Sequence, residues 1–96
     1  MDPEIAYLNI SDVVQSLAGH DQGKLFYVIA VENDYVHLAN GKDRSLDKPK
    51  RKKRKHVQKV LRSETRVAEK IRSGDKVLNG ELRRDLAFLA RDNASK

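Results

Sequence analysis

Cysteine is absent from the 96 residues. That excludes disulfides and thiolate metal sites and fits a reducing compartment. Tryptophan is also absent, and three Tyr and two Phe are the only aromatic residues. A core must therefore rest on Val, Leu and Ile, and it will be modest. No apolar run approaches the roughly 20 residues of a membrane span. The start, Met1-Asp2-Pro3-Glu4, is acidic and lacks the basic segment and apolar stretch of a secretory signal. A cytoplasmic location without membrane contact is expected. Catalytic signals are lacking as well. Ser16 stands in no nucleophile motif, and His20, His37 and His56 lack the mutual spacing of a metal site. Glu64, Glu69, Asp75, Glu81 and Asp85 read as solvated helix faces. No enzymatic activity, cofactor or small-molecule substrate is expected. The length suits one domain.

What the chain does have is positive charge, unevenly placed. Residues 1–41 carry a net charge of −5, residues 42–59 of +8 and residues 60–96 of +3. The centre of this excess is Lys48-Pro49-Lys50-Arg51-Lys52-Lys53-Arg54-Lys55-His56. Side chains at this density repel one another and favour an open chain. Opposite nucleic-acid phosphates they release condensed counterions, and repulsion becomes affinity. A localisation signal or solvated tail is the plain alternative. The run lies mid-chain between two ordered-looking segments, which favours a polyanion partner.

The hydropathy pattern is β through the first two thirds. A short helix is predicted over residues 2–8, with Asp2 as N-cap and Pro3 in the first turn. Val13–Ala18 reads as a first strand and Gly19–Gly23 as a loop whose glycines serve positive φ. Lys24–Val31 is apolar on both faces and so predicts a central strand. Tyr35–Ala39 returns after a turn at 32–34. Asn40-Gly41 is a two-residue hairpin signal, with short strands expected at 43–47 and 54–58. Short antiparallel strands with tight turns predict a small closed barrel over residues 9–60. Residues 1–8 would be a short N-terminal segment and 61–96 a helical extension. In that extension Val67, Ala68 and Ile71 line one helix stopped by Ser73-Gly74. Asn79 is expected to cap a second helix, striped by Leu82, Leu86, Leu89 and Ala90. The pair reads as an αα-hairpin. Its stripe either packs on the barrel and the first helix or serves as a partner-binding face.

The stretch Val13–Ile29, with its loop Gly19-x-x-x-Gly23-Lys24, resembles a KOW motif. Residues 12–57 are similar to large-subunit ribosomal proteins of the archaeal and eukaryotic L-fourteen-e kind. They are more similar still to short bacterial KOW-domain RNA-binding proteins. Arg54-Lys55-His56-Val57 matches the basic segment and His-hydrophobic pair that follow the barrel in that family. The resemblance implies an SH3-like barrel that binds structured RNA, ribosomal RNA or the ribosome. Family members often carry Arg and Lys in the loop, where this chain has His20 and Gln22. That shifts the expected affinity toward residues 48–55.

The candidate RNA contacts are therefore Gly19, His20, Gly23 and Lys24 in the loop, with Lys42 and Arg44 after it. Lys48, Lys50, Arg51, Lys52, Lys53, Arg54, Lys55 and His56 form the run, and Lys59 follows. The glycines would bring backbone N–H groups close to phosphates, and the cations would supply charge. Tyr27 and Tyr35 are candidates for packing or for base stacking, and His56 for an RNA hydrogen bond or for capping the barrel edge. Loop and run are expected to form one site. Replacing Lys50, Arg51, Lys52 and Lys53 by Gln is expected to weaken binding while barely altering stability. The competing reading is a protein-interaction adaptor that uses the barrel groove or the leucine stripe.

Overall fold

Alternating apolar residues that fill both faces of a strand require cover on both sides, and the second strand meets that description. The structure, a computed structural model, describes residues 8–94. Its strands are β1 (Asp12–Ser16), β2 (Leu25–Glu32), β3 (Tyr35–Ala39), β4 (Lys50–Lys53) and β5 (Val57–Arg62). A single 3-10 turn, Arg54–His56, joins the last two. All pairings are antiparallel, in the order β4-β3-β2-β1-β5. The central place expected for residues 24–31 is thus the one β2 holds. Registers shift by one residue at Ile29 of β2 against β3 and at Val60 of β5 against β1. Such bulges bend a strand and increase its twist.

One face of the sheet buries Val14, Phe26, Val28, Val36, Leu38 and Val57, with Leu8. The other buries Val13, Tyr27 and Ala39 against two helices, α1 (Arg66–Ser73) and α2 (Asn79–Ala94). Thr65 caps α1 by accepting the Ala68 N–H, and Gly74 closes it. From α2, Leu82, Leu86 and Leu89 are buried in this second cluster with Ala68. The three leucines of the stripe are therefore core. The helix expected at 2–8 falls, apart from buried Leu8, outside the described residues.

Three local expectations are corrected. Asn40-Gly41 is not a two-residue hairpin turn. The Asn40 side chain accepts the N–H groups of Lys42 and Arg44, while the Arg44 carbonyl accepts those of Asn40 and Gly41. This folds residues 40–49 into a long loop, so residues 43–47 form no strand. The fourth strand is Lys50–Lys53, inside the basic run, and the fifth begins only at Val57. Asn79 opens α2, but its side-chain oxygen accepts the Leu46 N–H at 2.8 Å and so holds the long loop to the helix.

Candidate nucleic-acid interface

Because β4 is a strand, its cations alternate between two faces. Arg51 and Lys53 point outward, opposite His37 and Tyr35 of β3. Arg51 stacks on Tyr35, 3.6 Å from the ring centroid, and its Nε donates to Glu32 at 2.6 Å. Glu32 also meets His37 at 2.9 Å, and with Arg51 foremost the two partners lower its pKa. Tyr35 is therefore a platform already occupied by Arg51.

Lys50 and Lys52 lie on the inner side, where a strand would ordinarily place apolar residues. Lys52 is 7% exposed, and its ammonium donates to the Ala18 carbonyl at 2.7 Å and to Asp21 at 2.8 Å. The Ser16 hydroxyl donates to the same Asp21 oxygen at 2.7 Å, and Lys50 faces the other at 3.3 Å. Burial by itself would raise the Asp21 pKa. Hydrogen bonds from Lys52, Ser16 and Lys50 outweigh it and hold the carboxyl well below the ordinary range. Lys52 is thus held in the fold, and a four-Gln replacement that includes it is expected to lower stability as well as binding. Inward charges on an edge strand also discourage pairing with other chains.

The same ion pairs draw the 17–24 loop against the run. A recess of about 310 Å³ is lined by His20, Asp21, Lys24 and Phe26, by Asp43 and Arg44 of the long loop, and by Lys50. Four candidate residues (His20, Lys24, Arg44 and Lys50) thus converge from three segments distant in sequence. Lys24 meets Asp43 at 2.8 Å across the rim. Gly19 and Gly23 both have positive φ. The Gly23 and Lys24 N–H groups, however, donate to Ser16 and Asp21 carbonyls and are not turned outward to phosphates.

The other candidates divide. Lys42, Arg44, Lys48, Lys53 and Lys55 are exposed and make no salt bridge among the described residues. Lys59 leaves the cluster for buried Asp12 of β1, at 3.3 Å. His56 is half-buried, and its carbonyl accepts the Leu17 N–H, tying the 3-10 turn to the end of β1. Arg54 donates its backbone N–H to Asp34.

Sequence reasoning missed a second polar centre that joins sheet to helices. The buried Tyr27 hydroxyl bonds Ser63 at 2.9 Å and donates to Asp85 of α2, which also accepts from Thr65 at 2.9 Å. Burial first, and then the Asp85 carboxylate, push the phenol up to about 12. Asp85 is therefore no solvated helix acid, and Glu81 pairs with Lys70 at 3.1 Å. Arg72 of α1 reaches the Ser11 hydroxyl and the Ser63 carbonyl, each at 2.8 Å. No helix among the described residues is long and apolar enough to cross a membrane. Comparison with known protein families and with curated proteins finds no match.

Proposed function

We propose that this chain is a non-catalytic RNA-binding module that grips structured RNA, in keeping with the KOW and ribosomal resemblance. The sheet order β4-β3-β2-β1-β5, with a 3-10 turn between the last two strands, fits an SH3-like barrel. The observation that carries the reading is the unpaired positive charge around the recess where His20, Lys24, Arg44 and Lys50 meet. Lys24 and Lys50 are paired there with Asp43 and Asp21, while Arg44 and the exposed Lys42, Lys48, Lys53 and Lys55 of residues 42–59 are left over among the described residues. Unpaired charge carried on both the long loop and the pair Lys53 and Lys55 suits a folded phosphate backbone better than a single acidic side chain. With Arg51 stacked on Tyr35 and Tyr27 buried, neither tyrosine ring offers an obvious place for base stacking, so recognition by backbone and shape is the fitting mode.

The test is binding of a labelled RNA stem-loop as salt is raised. Among the described residues, five exposed cations of residues 42–59 make no salt bridge: Lys42, Arg44, Lys48, Lys53 and Lys55. If each meets one phosphate, log K against log salt slopes by about −3.5 to −4.5, at roughly 0.7–0.9 per phosphate. A slope near zero, or purification with a stoichiometric protein and no RNA, would favour the adaptor reading.

A further inference from the structure

The long loop is anchored on α2 more tightly than a solvated connection requires. A Cβ on Gly41 would lie 2.2 Å from the Asn79 carbonyl oxygen and 3.1 Å from the Arg83 backbone nitrogen. Backbone meets backbone there, and the bond from Leu46 N–H to the Asn79 side chain fixes the loop a second time. This contact opens a groove of about 330 Å³ between the loops and the helix. Lys24, Lys42 and Asp43 form one wall, Arg83 stands on the other, and Leu86, Ala87 and Ala90 are among its remaining lining. Lys24 and Asp43 also line the recess of the candidate interface, so the two depressions adjoin at that ion pair. Lys42 and Arg83 are exposed, and neither makes a salt bridge among the described residues.

We propose that α2 is a working wall of the RNA surface, with Arg83 facing Lys42 across a trough that seats the phosphodiester backbone of the RNA held in the recess. This rests on the RNA reading and deepens it. The one carboxylate in the groove, Asp43, is paired with Lys24, so Lys42 and Arg83 leave an uncompensated positive charge. Ala87 is exposed and small, and a backbone can approach its part of the helix without displacing a long side chain. The opposite flank of α2 differs in kind. There two carboxylates, Glu81 and Asp85, stand against three cations, Arg66, Lys70 and Arg84, and Phe88 is exposed, whereas the groove sets Asp43 alone against Lys24, Lys42 and Arg83.

The experiment measures salt-dependent binding of a labelled RNA stem-loop to the full chain. Four variants are compared, with thermal melts to confirm folding: Arg83→Gln, Ala87→Glu, Arg44→Gln and, on the opposite flank, Arg84→Gln. Arg83→Gln is expected to reduce the salt slope by about one, as for a lost phosphate contact. Ala87→Glu weakens binding by placing a carboxylate in the trough, and Arg84→Gln leaves the slope unchanged. If Arg44→Gln loses slope while Arg83→Gln and Ala87→Glu bind as the parent does, the helix is outside the footprint and this inference fails, with the RNA reading intact. A parent slope near zero overturns both.

Discussion

On β4 the side chains of Lys52 and Lys53 point to opposite faces of the sheet. Lys53 is solvated, whereas Lys52 neutralises a buried carboxylate. Removing one member of a buried pair costs about 3–5 kcal/mol, and here the loss can reach that order although Ser16 and Lys50 remain on Asp21. We therefore expect Lys52→Gln to lower stability by that order in urea unfolding and Lys53→Gln to change it by less than about 0.5 kcal/mol. Equal effects would remove the structural role of Lys52. The pH dependence follows from Asp21. Its pKa is depressed in the folded state, so the unfolded chain binds the proton first as pH falls. The stabilisation is complete above about pH 4 and declines below it. Melting temperature should drop on acidification more steeply for the parent than for Asp21→Asn. In sequence the run reads as uniform, because the partner that distinguishes Lys52 lies 31 residues earlier, and local patterns carry no such information.

Among the elements, β2 was legible because Phe26, Tyr27 and Val28 alternate faces that are all apolar. The helices were legible from Val67, Ile71 and the leucine stripe, and Gly74 from its place after Ser73. β4 was hidden, since a Lys-Arg-Lys-Lys strand has low β propensity and no apolar alternation. It forms because β3 offers an open edge and Asp21 receives its inward cations. The Asn40-Gly41 signal misled because Gly41 has a tertiary reason to be glycine. It combines φ +77° with a backbone approach that any Cβ would block, whereas Gly23, at φ +88°, has open space around the same position. Gly23→Ala is expected to cost about 1–2 kcal/mol from conformation alone. Gly41→Ala adds a clash with the Asn79 carbonyl, so its loss in chemical unfolding should exceed that of Gly23→Ala. Equal losses would mean that the loop is not clamped to α2.

At the scale of the whole molecule, the acidic first part and the basic middle neutralise each other internally. Asp12 takes Lys59, Asp21 takes Lys50 and Lys52, and Glu32 takes Arg51. The surplus left on the surface is the part that faces a partner. The sheet is also two-sided, and this bears on the division into a barrel and an extension. Val13, Tyr27 and Ala39 lie under the helices, the Tyr27 hydroxyl is bonded to Asp85, and Arg72 holds Ser11 and Ser63. A chain ending at Arg62 would expose that apolar face to water at about 25 cal/mol per Å² and strip the phenol of its carboxylate. A domain this small has little stability in reserve. We expect the truncated chain to lose the cooperative thermal transition and to bind a hydrophobic dye, while the full chain unfolds in one step seen alike by strand and helix signals. A truncated chain that melts sharply near the temperature of the parent would show that the sheet stands alone and that the helices are an appendage.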